Sequence, residues 1–462
     1  MNIYLHVEIS SRELHSKLLL AILAAAKGHD VIVSELEIIL KGLLRGWLPP
    51  GIFYTKSLTP SKTKIERHDE LIKKGTKITS IDEEANLNVD HYEEFSRQRY
   101  SEKTIKQSSA VFGWGKHDYE TLKKNYIKQK NKIYKTGSPR VDLWRPIFSK
   151  YWIKPKMMPK KPFLLISSNM NVCDNKSFPE RINFQREAEY FKRSPILFRQ
   201  AFMWKSHDFL KAFVFIDAIK DLVNNNNKFE IVFRPHPSEN VNCWKILLKG
   251  IPNLHITNEG PINTWINNAF AVMHHGCTTA IETVVSQKPL VTYTPSILKG
   301  HILNNHLPNK LGHIVRTKKA LIKKIKSLYN KTKKNHKLNK NKLLPMLVKK
   351  KIYIDEKELS AQKIIKIWEK INNNENSNSI NSLKIFLFIF FMKINKFIGN
   401  LLKILIPSKF DGLRSKKNRV KFPPIDIVEI RKHVEKLRNV LKIENELECN
   451  LISERTIRIK LK

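Results

Sequence analysis

The chain has 462 residues, 41% of them hydrophobic, enough for two or three domains with ordinary cores. Lys and Arg number 84 against 42 Asp and Glu, a formal net charge of +42, which points to a polyanionic partner: nucleic acid, an anionic membrane surface or a phosphorylated compound. Four widely spaced cysteines without a C-x-x-C pair argue against a disulfide framework or a Cys-rich zinc module and fit a reducing cytoplasm, and neither a signal peptide nor a run of about 18–20 apolar residues is present.

The first elements read as β-α-β. "NIYLHV" is an apolar strand. "SSRELHSKLLLAILAAAKG" is a helix with Ser10 or Ser11 as its cap and Gly28 at its end, and "DVIVS" is the next strand. No G-x-G-x-x-G joins them, so a dinucleotide site is not expected. Strands at "GIFYTK", "TKITSI", "AVFGWG" and "KIYKTG", with helices between, complete a Rossmann-like domain over residues 1–152. The Pro- and Lys-rich "IKPKMMPKKP" is a linker.

A second α/β series follows. It runs through strand "FLLISS", helix "FLKAFVFIDAIKDLVNNNN", strands "KFEIVF" and "NLHIT", helix "INTWINNA", strand "FAVMHH", helix "TTAIETVVSQ" and strand "PLVTYTP". After Ser296 the strand signal fades into a lysine-rich stretch, and no acid occurs from Thr283 to Ile354. Selection for an anionic partner and plain compositional bias explain that stretch equally well. With the helix "DEKELSAQKIIKIWEKI", the second Rossmann-like domain is expected over 162–372. A basic helical tail is expected over 383–462, possible membrane contact included. Within residues 385–407, Lys393, Lys396, Asn400 and Lys403 form one polar stripe on an apolar helix. Such a helix packs in a core or lies in a membrane interface; the interface is favoured. The expected fold is α/β, with two Rossmann-like domains facing a cleft and an α-helical basic C-terminal extension.

Ligands of open α/β sheets bind beyond the strand C-termini, and five stretches carry chemistry there. In "AVMHHGCTTAIETVV", a metal site is disfavoured because adjacent His274 and His275 point to opposite faces of a strand. The order strand, Gly276, helix instead suits a phosphate cradle, with Thr278 or Thr279 as cap and Glu282 at a capping-box spacing or on ribose hydroxyls. Plain capping without a ligand weighs about equally. In "FRPHPSEN", two prolines stiffen a turn that presents Arg234 as a phosphate fork and His236 as a donor or proton carrier. In "SIDEEAN", Glu83 and Glu84 are candidate bases, with a solvated helix start as the plain alternative. In "KTGSPRVDLW", Arg140 is expected to face the cleft, and in "HVEISSREL", Glu8, Arg12 and Glu13 surround the first β-α turn. No Asp-x-Asp, Walker loop or kinase signature is present.

Taken in order, "EISSRELHSKLLLA", "DEEA", "GWG", "TGSPRVDLWRP", "FRPHPSEN", "INTWINNA", "CTTAIE" and "KPLVTYTP" resemble the bacterial surface carbohydrate biosynthesis protein family, which looks like glycosyltransferases of the GT-B type. The resemblance implies a donor nucleotide in the C-terminal half, an acceptor in the N-terminal half and usually no metal. It places donor phosphates on Arg234, His236 and the turn from Gly276 through Thr278 to Thr279, with Glu282 on the nucleotide. His275, beside Gly276, joins this set. Glu8, Arg12 and Arg140 fall on the acceptor side, and Glu83, Glu84 and His236 are the candidate catalytic groups.

The expected activity is transfer of a sugar from a CMP-, CDP- or UDP-linked donor to a lipid-linked or growing glycan, without metal or other cofactor. The expected place is the cytoplasmic face of the inner membrane, held to anionic lipid by the tail. Transfer of a polyol phosphate from a CDP-linked donor is the alternative on the same fold. Nucleic-acid binding, for which no motif is found, and a non-catalytic role in a polysaccharide complex are the alternatives from other classes.

Overall fold

The computed structural model describes residues 1–84, 92–170, 172–173, 188–189, 192, 194–225, 228–237, 239–298, 307–333, 344–372, 379–381, 383–391, 394 and 421–462. In chain order the strands are β1 (Asn2–His6), β2 (Asp30–Ser34), β3 (Ile52–Thr55), β4 (Lys77–Ile81), β5 (Ala110–Gly113), β6 (Ile133–Lys135), β7 (Phe163–Ser167), β8 (Glu230–Arg234), β9 (Leu254–Ile256), β10 (Ala271–His274), β11 (Leu290–Tyr293), β12 (His313–Val315), β13 (Leu447–Ser453) and β14 (Thr456–Leu461). The helices are α1 (Ser10–Ala25), α2 (Leu36–Leu44), α3 (Lys62–Lys73), α4 (Tyr92–Arg99), α5 (Glu102–Gln107), α6 (Lys116–Asn125), α7 (Pro139–Trp144), α8 (Pro195–Asn224), α9 (Val241–Leu247), α10 (Ile262–Asn268), α11 (Thr279–Val285), α12 (Lys318–Lys333), α13 (Met346–Lys351), α14 (Ser360–Asn372) and α15 (Ile427–Leu441).

The chain forms two units. Among the described residues, unit 1 is Met1–Glu84, Tyr92–Leu143 and Met346–Lys462, and unit 2 is Trp144–Pro345. The sheet of unit 1 runs β13-β14-β2-β1-β3-β4-β5-β6. The strands from β2 to β6 are parallel, and every residue of β1 is buried. Helices cover both faces of such a sheet, so its strands read as nearly unbroken apolar runs, which is why they are visible in the sequence. The sheet of unit 2, β12-β11-β10-β7-β8-β9, is parallel throughout. Its core gathers Leu164, Phe215, Phe233, Trp244 and Met273. The α/β class with two Rossmann-like sheets is thus the fold of the chain.

Several boundaries differ from the expectations. The residues at 346–372 belong to unit 1, not to the second domain that was expected to reach 372. The cause is local. Asp142 of α7 accepts hydrogen bonds from Ser360 Oγ (3.1 Å) and Ala361 N (3.0 Å), and so caps α14. At the other end, Trp368 donates to Thr79 Oγ1 (3.0 Å) and meets Tyr54 edge-on at 5.3 Å. Gly137 has φ +79°, and a Cβ there would strike Tyr353 O and Ser360 Oγ, so the "TGSP" turn is the seat of this returning segment.

The tail is not helical throughout. It supplies α15, capped by Asp426, but its last residues form the β13–β14 hairpin, and β14 adds antiparallel to the edge of β2. Ile457 and Ile459 are fully buried there, covering an edge that would otherwise be open for pairing. Residues 383–391 are helical, and Ile385, Phe388 and Ile389 enter the core of unit 1, with Phe388 stacked on Trp47 at 5.6 Å. Leu383, Phe386, Phe390 and Phe391 stay exposed. The stripe of Lys393, Lys396, Asn400 and Lys403 lies outside the described residues. Residues 318–333 of the lysine-rich stretch fold as α12, which buries Leu321, Ile325 and Tyr329, and β12 precedes it where no strand was expected.

Candidate functional site

In unit 2, the chain leaves β7 for β8 and β9 on one side, then returns to place β10, β11 and β12 on the other. The strand order therefore reverses between β7 and β10, and Ser167 and His274 are paired at the ends of those strands. Crevices at such switch points are where open α/β sheets take ligands. Ser167 Oγ lies 3.2 Å from Cys277 Sγ and donates to Thr279 Oγ1 at 3.1 Å. Asn169 donates to Gly276 O at 2.9 Å. The predicted strand-Gly-helix turn thus stands at the switch point, with Gly276 at φ +64°.

Its inner workings differ from the expected cradle. Gly276 N–H already donates to Asn309 Oδ1 at 2.6 Å. No side chain caps α11, so there is no capping box: Thr279 turns its hydroxyl back to Ser167, and Glu282 accepts from Asn263 Nδ2 at 2.9 Å. Thr292 donates to Leu311 O (2.6 Å), so its hydroxyl must accept the proton of His274 Nε2 (2.8 Å), leaving Nδ1 to face Cys277 N–H at 3.4 Å. His274 is fully buried, and burial, with His275 adding, lowers its pKa to about 3. His275 is also buried, and its Nδ1 is 3.0 Å from Tyr293 O. Both histidines are packing groups that fix the turn. Gly276 and Thr278 are its half-buried members, and Asn169 stands half-buried beside them.

The "FRPHPSEN" turn follows β8. Arg234 is 8% exposed and aims its fork at backbone: Nη1 to Glu259 O (2.7 Å), Nη2 to Asn258 O (3.1 Å) and to Gly260 O. Three carbonyls converging on one loop make a local negative pocket, and a guanidinium fills it. Burial lowers its pKa, to about 10, against the pull of Glu282 and Glu259. Arg234 therefore shapes the 258–260 loop, and a direct phosphate contact is not its geometry. His236 is exposed, and the protein around its ring holds its pKa below the usual histidine value, with Glu239 opposing.

Sequence reading missed Glu239. Its carboxylate, 2% exposed, accepts from Ser168 Oγ (2.7 Å), Met170 N (3.0 Å), His236 N (3.0 Å) and Trp244 Nε1 (3.1 Å). One side chain so joins the loop after β7 to the turn after β8 and to α9. An acid inside a Pro-stiffened turn was the available signal. Cys173 and Cys243 pair as a disulfide with Cα atoms 5.8 Å apart, tying the loop after β7 to α9, where four free cysteines were the natural expectation. Glu239→Gln puts an amide N–H₂ among four donors. We expect a loss of about 1–3 kcal/mol in unit 2 stability, read by urea denaturation of unit 2 amides in hydrogen exchange; a change under 0.5 kcal/mol would refute the hub role.

In unit 1, the acids named from sequence are all engaged by cations. Glu83 is buried against Lys17, which is 1% exposed, at 2.5 Å, with Arg140 Nη1 3.9 Å from its other oxygen. Arg140 also donates to Glu83 O (3.0 Å) and lies over Trp114 at 5.4 Å, so it locks the strand end. Glu13 accepts from Glu8 N (2.8 Å) and Arg12 Nη2 (2.9 Å), and α1 starts at Ser10 after Ile9 with no side-chain cap, so neither Ser10 nor Ser11 caps it, contrary to expectation. Glu8 is held by Lys421 (2.5 Å) and Lys56; their ammonium groups outweigh partial burial and keep its pKa at about 2. Glu84 is the exposed member, with Arg99 at 3.3 Å and Arg12 and Lys56 each at 3.5 Å. Partial burial opposes its ionisation, but these three cations prevail and lower its pKa. Glu83 is thus a buried structural partner, while Glu84 stays ionised and open to solvent. Among the described residues, no group of three or more His, Cys, Asp or Glu is placed to hold a metal ion.

No protein-family model matches the chain, and no curated protein does. Among solved structures it is similar to a UDP-GlcNAc 2-epimerase from Methanocaldococcus jannaschii in complex with UDP-GlcNAc and UDP (16% identity, 80% of this chain and 100% of that chain, TM-score 0.43). It is also similar to S. aureus MnaA with UDP (12%, 82% and 98%, TM-score 0.44) and to the wall teichoic acid polymerase TagF (11%, 81% and 89%, TM-score 0.40).

Proposed function

We propose that the chain is a metal-independent glycosyltransferase of bacterial surface-polysaccharide synthesis, taking its nucleotide-activated sugar at the switch point of unit 2. The observation that supports this most is that Asn169 holds the Gly276–Thr278 turn at the strand ends on either side of the order reversal, with exposed His236 following the neighbouring strand β8. Arg234, Glu239 and Glu282 hold that surface in shape. His236, neutral at pH 7, is suited to donate a hydrogen bond to a leaving phosphate. Glu84 is the acid in unit 1 left to meet an acceptor hydroxyl. The apolar face of residues 383–391, in a chain of net charge +42, suits a peripheral position on an anionic membrane. Among the described residues, no helix is long and apolar enough to cross one.

A thermal-shift series with CMP, CDP and UDP tests the donor site. A nucleotide at 100 times its Kd adds about 2.7 kcal/mol to unit 2, raising its Tm by roughly 5–10 °C. His236→Ala should reduce the shift and Thr278→Val should weaken it. No shift with any nucleotide overturns the reading. A response to CDP with transfer of polyol phosphate and no sugar would move the chain to the alternative chemistry.

A further inference from the structure

Unit 1 contains a cavity of about 880 Å³, inside the size range of small-molecule sites. It opens at the C-terminal ends of β1, β2 and β3. The chain steps from β1 to β2 on one side and places β3 on the other, so this is the switch point of the first sheet. One wall is apolar: Leu36, Leu40 and Leu44 of α2, with Phe53 and Phe422. The charged lining comes from α3, the loop after β3 and the end of α2.

The cations do not cancel. Lys41 is paired with Glu37 (2.6 Å), Lys56 with Glu8, and Glu35 with Arg455 (2.9 Å). Arg45, Lys64 and Arg67 also line the cavity and have no carboxylate partner among the described residues. Lys64 donates to Ser57 O and Ser57 Oγ, both at 3.3 Å. Burial, then Arg99 and Lys56, lower its pKa to about 8, the state of an ammonium short of negative charge. His6 and His68, each 3% exposed, line the same space, and the buried Nδ1 of each ring makes no hydrogen bond among the described residues. Both rings border the cavity beside the unpaired cations, where an imidazole nitrogen can serve a bound anion as a hydrogen-bond donor.

We propose that this cavity binds an organic phosphate with an apolar arm, the phosphate meeting Lys64, Arg67 and the imidazole wall, and the arm lying along α2. As a binding site it stands on unit 1 alone; as the seat of the acceptor it rests on the transferase reading.

The probes are geranyl phosphate, a short-chain phosphatidic acid below its micellar concentration, inorganic phosphate and geraniol, titrated calorimetrically into the full chain. Geranyl phosphate or the phosphatidic acid should bind at least about tenfold tighter than inorganic phosphate or geraniol. Preference between the two tells a prenyl phosphate from a phospholipid headgroup. Lys64→Gln with Arg67→Gln should cost about tenfold or more for the winning probe, with unchanged circular dichroism. Leu36→Asn should weaken the same probe and leave inorganic phosphate unaffected. The inference is overturned if neither amphiphile binds at millimolar concentration, if inorganic phosphate binds as tightly, or if the folded double variant keeps full affinity. A nucleotide thermal shift in unit 2 would survive each of these failures, and its absence would leave this result standing.

Discussion

Lys17→Met is expected to destabilise unit 1 by about 3–5 kcal/mol, a large share of the 5–15 kcal/mol typical of a folded domain. Lys17 Nζ lies 2.5 Å from Glu83 Oε1 and 4.2 Å above the Tyr54 ring, and both charged side chains are almost fully buried. Removing the ammonium leaves a carboxylate inside the protein, with Arg140 3.9 Å away as its remaining cation. Glu83→Met strands Lys17 in the same way and should cost a similar amount. Replacing both removes two desolvation penalties at once, so the double variant should lie within about 1–2 kcal/mol of the wild type. Hydrogen exchange of β1, α1 and β4 amides in urea reads unit 1 separately. Two nearly neutral single variants, or a double variant as damaged as the sum, would refute the buried pair. The same cycle separates two roles for Glu83: a catalytic base would lose transfer in Glu83→Gln with stability intact, whereas a structural partner loses stability first.

The pair shows where sequence reading ends. Lys17 sits at the start of "KLLLAILAAA", where a lysine normally marks a solvated helix face, and its partner is 66 residues away. Nothing local distinguishes a snorkelling lysine from one turned inward. The parallel strands were legible because burial on both faces demands unbroken apolar runs. The β13–β14 hairpin was harder: "LECNLIS" follows a helix rich in Glu, Leu and Lys and shares its composition, although "TIRIKL" alternates with a period of two. At the site, the residue types were legible and their directions were not. Arg234 looked like a phosphate fork because three carbonyls at 258–260 lie 24 to 26 residues further on. Glu282 sits at capping-box spacing from Thr279, yet Asn263 of α10 takes its carboxylate. Long-range partners decide such choices, and spacing carries no record of them.

Lowering the pH from 7 to 5 should remove most of the stability of unit 1, while unit 2 yields less. Four histidines of unit 1 have strongly lowered pKa values, His6, His68 and His433 to about 4 and His15 to about 3, with burial the leading cause in each. In the unfolded chain each ring takes a proton near its ordinary value of 6.5. The unfolded chain therefore binds more protons once the pH drops below about 6.5, and stability falls until the folded rings also titrate near 4. At pH 5 each ring costs about 2 kcal/mol, on the order of 8 kcal/mol for four. Asp118 works the other way. Burial raises its pKa to about 6 against hydrogen bonds from Gly115, Trp114 and Tyr119, so it returns roughly 1 kcal/mol as the pH falls past 6. The paired carboxylates Glu8, Glu13 and Glu84, all held below their usual range, lose their contribution only at lower pH, so the window between 5 and 7 belongs to the histidines. In unit 2, His274 supplies one comparable loss. Amide protection of β1 and β4 should thus collapse between pH 6.5 and 5 ahead of β7 and β10. His433→Gln should flatten that slope by about a quarter. Equal protection at pH 7 and pH 5 in unit 1 would show that these rings are not held neutral by the fold.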